Sequence, residues 1–316
     1  MQYDRDEQLR RIFDCCNPAL DADEQIALML HEVCGLTYAQ VARAFLAPTM
    51  TMARRLVEAR TRAFGRDAHQ LDAEPPWHER LAAVMAGLYL LFNEGYAATG
   101  GGSHVRRKLC ADAIVLTRLL RSRFMKSPPE LDALLGLMLL QDARCEARVD
   151  AAGDLVPLAD QDRARWNQAL IAEGCTLVHD ALRRGQPSPY ALQAAIAAVH
   201  AQARQAADTD WREIAALYTR LLSHQPSPVV ALNHALAVSM CDGPLVALPL
   251  LEAIGPALEQ YHVWHASRAD LLRRLQRFDE AIASYRRAHA LAGNHAERRF
   301  IARRLAELED RAGKPS

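Results

Sequence analysis

Three features of this 316-residue sequence predict an all-α protein. Apolar residues recur at helical spacing in nearly every stretch between turn signals. The last third repeats itself at an interval that a pair of helices fills. Only one place, around residues 148–156, shows the short runs flanking a glycine turn that mark a β-hairpin. Half of the residues are apolar, so a sizeable core is available, and this length suggests two or three domains. Formal net charge is zero, so global basicity gives no sign of nucleic-acid binding.

Residues 4–14 form a first amphipathic helix with Leu9, Ile12 and Phe13 on one side, and Glu24–Cys34 forms a second. From Leu36 to Arg66 the chain reads as helix, tight turn, helix. Thr37 is placed to cap the first, whose buried stripe is Val41, Ala42 and Phe45. Ala47-Pro48-Thr49 then breaks the pattern, because proline lacks the N–H and restricts the residue before it. The second helix runs from about Met50 to Phe64, with Met52, Leu56, Ala59 and Ala63 on one face and Arg54, Arg55, Arg60 and Arg62 on the other. From Arg43 to Arg66 six arginines stand against one acid, Glu58, a local charge of +5. This is the layout of a DNA-reading helix-turn-helix. An αα-hairpin with a solvated arginine face is the plainer reading.

Residue identities favour the first. The run Leu36-Thr37-Tyr38-Ala39-Gln40-Val41-Ala42, followed by Thr51-Met52-Ala53-Arg54-Arg55-Leu56-Val57-Glu58-Ala59-Arg60, resembles region 4 of sigma-70 family transcription initiation factors. Pro18-Ala19-Leu20-Asp21 and the helix after it resemble the lead-in of that region. Further along, LYLLFNEGYAA, LCADAI, LGLMLLQDAR, ARVDAAGDLVPLADQDRARW and YALQAAIAAVHAQA are similar to a subgroup of extracytoplasmic-function sigma factors with a long C-terminal helical extension. The resemblance runs from about Asp4 to Leu308.

The resemblance implies that the second helix enters the major groove of the promoter minus-35 element. Its base-reading positions correspond to Ala53, Arg54, Val57 and Glu58, with Thr51 at the phosphate end. Arg54 would donate to a guanine edge, Val57 meet a thymine methyl and Glu58 accept from a cytosine amino group. Arg55, Arg60 and Arg62 would serve phosphates, Arg55 having pairing within the domain as its other role. Ala53 stands where the family usually has Lys or Arg, and Glu58 where it often has Arg. Both changes remove positive charge, so intrinsic DNA affinity is expected to be weak, with core RNA polymerase supplying the rest through its β flap. Family members also carry an earlier helical domain, region 2. Nothing before Asp4 supplies it, so the chain is expected to be the C-terminal part of a longer protein or to work without that domain, which argues against autonomous initiation.

Gly65–Trp77 is polar and ends in Pro75-Pro76, the best linker candidate. The expected organisation is a helix-turn-helix domain over 1–66, a linker over 67–77, a helical extension over 78–206, and repeats with a capping helix over 207–316. His78–Tyr96 has a wide apolar face and ends on an acid and a glycine stop, Glu94-Gly95. Ala97–Ser103 is glycine-rich but lacks the G-K-[ST] of a phosphate loop. Helices are expected at Val105–Met125 and Pro129–Ala143. Asp160 or Asp162 would cap the helix that runs through Arg183, with Arg163 and Arg165 paired to nearby acids. As an enzyme the chain would rest on Glu94, Asp160 and Asp162. Carboxylates at i and i+2 do not share a helix face, and neither a nucleophile–base set nor metal spacing accompanies them, so no enzyme, cofactor or metal is expected. The seven cysteines are scattered without a C-x-x-C pair and read as reduced core thiols of a cytoplasmic protein. No signal peptide or apolar run near twenty residues appears, so no membrane contact is expected.

In the last third, Trp211-Ile214-Tyr218-Leu221, Pro244-Ala247-Leu251-Ile254 and Phe278-Ala281-Tyr285-Ala288 align at intervals of 33 and 34 residues, the tetratricopeptide period. Val229–Met240 and Tyr261–Leu275 are the first helices of these units. Such repeats stack and leave a concave surface for a peptide or protein partner. Ala296–Arg311 would cap the array, its arginines forming a solvated face. The competing function is a tetratricopeptide-type protein-binding adaptor with a vestigial helix-turn-helix.

Overall fold

The computed structural model describes residues 5–45, 47–64, 77–96 and 106–312. The chain is all-helical, and no strand occurs among the described residues. The linker before Trp77 and the glycine-rich connection at 97–103 lie outside them.

Four helices come first: α1 (Arg5–Cys15), α2 (Ala22–Glu32), α3 (Tyr38–Ala44) and α4 (Thr49–Phe64). The starts of α2 and α3 are fixed by reciprocal capping. The side chain of Asp21 accepts from Glu24 N while Glu24 reaches back to Asp21 N, and Thr37 and Gln40 do the same for α3. Gly35, at φ +72°, lets the chain reverse between them. The ring of Tyr38 then stacks on His31 at 4.3 Å.

Next come α5 (Trp77–Tyr96), α6 (Arg107–Ser122), α7 (Pro129–Asp142), α8 (Gln168–Arg184) and α9 (Pro189–Gln202). One core runs through α1–α7, on both sides of residues 65–76. Ile12, Leu28, Val41 and Leu56 from the first four helices join Leu88, Phe92, Leu116 and Leu131 from the next three. A second cluster holds α7, α8 and α9 around Trp166, Ile171 and Ala194. Helices α7 and α8 approach closely because they cross at two glycines. A Cβ on Gly136 would meet Val178 Cγ2 at 2.9 Å, and one on Gly174 would meet Leu140 Cγ at 2.8 Å.

The remainder is α10 (Trp211–His224), α11 (Pro228–Cys241), α12 (Pro244–Ala253), the single turn α13 (Gly255–Leu258), α14 (His262–Arg274), α15 (Phe278–Leu291) and α16 (His295–Ala312). Each long helix packs on the next. The aligned positions Ile214, Leu221, Ala247, Leu251, Ala281, Tyr285 and Ala288 are all buried. Arg299 and Arg303 of α16 pair with Asp154, so part of the arginine face expected to be solvated ties the last helix to the segment after α7.

Four local expectations are corrected. Residues 148–156 make a single antiparallel bridge, Val149 to Leu155, instead of two strands, because the side chain of Asp150 accepts from Ala152 N and Asp154 N and closes the loop tightly. The cap of α8 is Asn167, accepting from Ala169 N and Leu170 N, while Asp162 caps a 3-10 turn at Arg163–Arg165. Arg163 is not held by an acid: its guanidinium donates to the carbonyls of His200 and Ala203 at 2.6 and 2.7 Å, serving the C-terminus of α9. Gly95 is no stop, since α5 continues to Tyr96. A Cβ there would meet the backbone N of Cys110 at 2.7 Å, so the glycine admits α6.

Candidate nucleic-acid interface

Helix α4 is held by Met52, Leu56, Ala59 and Ala63, all buried, and this registers its other face outward. Arg54, Val57 and Glu58 stand on that face, side by side and exposed, with Met50 and Thr61 along the same stripe. Thr51 and Ala53 sit at its edge, half-buried. The positions assigned to base reading are therefore brought together on one helix. Chemically the strip offers one guanidinium, one carboxylate and two apolar side chains, the inventory needed to discriminate base edges in a groove.

The charge on this helix is largely matched from within the molecule. Arg60 pairs with Glu32 at 3.6 Å and Arg62 with Glu24, both acids belonging to α2. Arg54 lies 3.9 Å from Glu58 one turn on, with both side chains well exposed; such a pair is worth about 0.3–0.5 kcal/mol. Arg55 is exposed and borders a shallow cleft with Asp23 and Glu24. The acids of α2 were not legible as partners, because they lie 28 and 38 residues before the arginines they meet and no helical spacing connects them.

The three carboxylates weighed for catalysis are not alike. Glu94 is 4% exposed, paired with Arg106 at 3.5 Å and accepting from Gln40 Nε2 at 3.3 Å, which makes it a buried clasp between α3, α5 and the start of α6. Asp160 and Asp162 are exposed, the latter occupied as a turn cap. Among the described residues, no three His, Cys, Asp or Glu side chains gather as a metal site. The seven thiols are free, and burial pushes Cys16 up to about 12. No helix among the described residues is long and apolar enough to cross a membrane.

Comparison with known proteins places two likenesses on this frame. A family model described as a family of unknown function (DUF6596) matches residues 80–182, from α5 to the last turns of α8. The chain is also 46% identical over 306 residues to the uncharacterized protein R00370 of Rhizobium meliloti (strain 1021), an alignment that covers 96% of this chain and 72% of that protein.

Proposed function

We propose that this chain, which belongs to the family of the uncharacterized Rhizobium meliloti protein R00370, is the promoter-reading portion of a sigma-type transcription initiation factor. In this reading α3 and α4 are the helix-turn-helix, and α4 recognises the minus-35 element while core RNA polymerase is held through its β flap. Helices α10–α16 form the tetratricopeptide-like array, which serves regulation or protein contact. The observation that carries the reading is the outward stripe Arg54, Val57 and Glu58 on a helix whose opposite face is fully packed. Thr51, Ala53, Arg55, Arg60 and Arg62 flank it.

Because Arg60 and Arg62 already answer to Glu32 and Glu24, phosphate contact must compete with internal ion pairs. This agrees with weak intrinsic DNA affinity and dependence on polymerase. Helix α5 covers part of α2, with Met29 lying over Gly87, so flap engagement on that side requires α5 to yield. The test is titration of the chain with the isolated β flap and with core polymerase. Saturable binding supports the proposal, and absence of binding to either rejects it.

The same ion pairs favour a second reading, a repeat-based adaptor whose helix-turn-helix is vestigial. It predicts DNA binding with no sequence preference and a peptide partner in the concave side of α10–α16. Sequence-selective binding in the polymerase complex would exclude it.

A further inference from the structure

The chain encloses a second site that the promoter-reading proposal does not use. A cavity of about 440 Å³ opens between α5, α7, α9, α10 and α11, within the size range of small-ligand sites. Arg144 and Arg148 reach it from the segment after α7, and no Asp or Glu is among its described lining residues. The Nη2 of Arg144 donates to the Tyr96 hydroxyl at 2.8 Å, while its Nε is buried without a hydrogen-bond partner among the described residues. Arg148 donates to the Tyr96 carbonyl at 2.9 Å, with its guanidinium 3.5 Å from the centre of the Tyr96 ring. On the far wall His200 packs edge-on against Trp211, its Nδ1 buried and likewise unpartnered.

Arg144 and Arg148 are half-buried, and two guanidiniums partly withdrawn from water beside each other favour an anion that faces them. Part of the negative charge comes from helix ends. The C-terminal turns of α5, α7 and α9 line the cavity at Tyr96, Gln141 and His200, and the N-terminal turn of α11 lines it at Val230. Each end carries about half an elementary charge, and the α9 end is already taken by Arg163, so the ends of α5 and α7 less that of α11 offset only about half of one arginine charge. More than one positive charge is left. That calls for an anion, and a carboxylate meets two guanidiniums through paired hydrogen bonds. The other walls, including Leu137, Ile196 and Leu221, suit an apolar body.

We propose that this cavity binds a small organic monocarboxylate with an apolar or aromatic body, its carboxylate on Arg144 and Arg148 and its body among α7, α9 and α10. Such a ligand bridges the DUF6596-matched segment and the first repeat helices, and its binding does not depend on the promoter-reading proposal. A carboxylate opposite His200 also favours the imidazolium. Burial, with Arg144 and Arg163 nearby, otherwise holds His200 down to about 4, so occupancy raises that value.

The probes are phenylacetate, its neutral amide phenylacetamide, and phenyl phosphate, titrated into the full chain at constant ionic strength by calorimetry, with the His200 ring followed by NMR. Phenylacetate is expected to bind saturably, at least tenfold more tightly than phenylacetamide, and to raise the His200 titration. Arg144→Gln should weaken binding about tenfold or more. Val230→Trp, which fills the cavity from the α11 side and leaves both arginines, should abolish it. Val230→Trp also guards against an Arg144 variant that misfolds. Absence of phenylacetate binding at 10 mM, undiminished binding to Val230→Trp, or equal binding of the amide overturns the site. Phenyl phosphate binding tenfold more tightly than phenylacetate overturns the carboxylate assignment.

Discussion

Gln40 Nε2 donates to Glu94 Oε1 across 3.3 Å, joining the capping box of α3 to the last turn of α5. Gln40 thereby serves twice, since its Oε1 also accepts from Thr37 N. Residues 54 apart in sequence are linked at the point where α3 meets the DUF6596-matched segment. A double-mutant cycle of Gln40→Ala and Glu94→Ala is expected to give a coupling of about 0.5–1.5 kcal/mol in urea unfolding. Strict additivity would show that the two segments do not communicate through this contact.

The two α5 glycines should answer differently to substitution. A helix-interior Gly→Ala change ordinarily gains about 1 kcal/mol. At Gly87 the new methyl meets the far end of the Met29 side chain, which is flexible though fully buried, so the change should cost less than at Gly95. At Gly95 it meets the backbone of Cys110, and overpacking of about 1–3 kcal/mol should outweigh the propensity. Thermal melts of the two variants decide the order; a Gly95→Ala protein as stable as Gly87→Ala contradicts the packing described.

Asp132 is 2% exposed and lies between Arg121, at 2.6 Å, and Arg184. Removing it deprives two guanidiniums, both exposed in part, of their shared carboxylate. Asp132→Ala should lose about 1–3 kcal/mol of stability, read by chemical denaturation. A loss under 1 kcal/mol would mean that both arginines find water without difficulty.

His200 predicts a pH dependence with a definite sign. Its folded value is held to about 4, by burial first and then by Arg144 and Arg163, against the ordinary 6.5. The unfolded chain therefore takes up a proton as pH falls through 6.5 and the folded chain does not. This contribution to stability is fully present above pH 6.5, declines between 6.5 and 4, and is flat below. At about 1.4 kcal/mol per unit its ceiling is about 3 kcal/mol. The difference in stability between the parent and His200→Gln, followed from pH 7.5 to 4.5, should change in that window. A constant difference would remove the burial argument.

The register of α4 was legible from sequence, because Met52, Leu56, Ala59 and Ala63 repeat at helical spacing and the burial of all four follows from it. Thr37 as a cap was equally local. What was not legible depends on contacts between helices. Glu24 and Glu32 look like ordinary first-turn and last-turn acids until α2 is laid beside α4. Arg144 and Arg148 flank a break in the helical pattern, and nothing local indicates that α9, α10 and α11 close a cavity over them. Asp160 or Asp162 was the expected cap of α8, whereas Asn167 caps it and Asp162 caps the short turn before it.

The internal ion pairs of α4 give a direct prediction for nucleic-acid affinity. Glu24→Gln with Glu32→Gln should free Arg62 and Arg60 for phosphates, and glutamine can still serve the Asp21 capping box. Non-specific DNA affinity should rise, and the slope of log affinity against log salt should steepen by about 2. An unchanged slope would mean that these arginines do not face the nucleic acid.

The most direct measurement of the promoter-reading claim is selection of duplexes from a randomised minus-35 pool by the chain bound to core RNA polymerase, with Arg54→Ala run in parallel. The account predicts enrichment of one sequence by the parent. It predicts that Arg54→Ala loses discrimination worth about 1–3 kcal/mol at one base pair. No enrichment, or an enrichment that Arg54→Ala leaves intact, would contradict it.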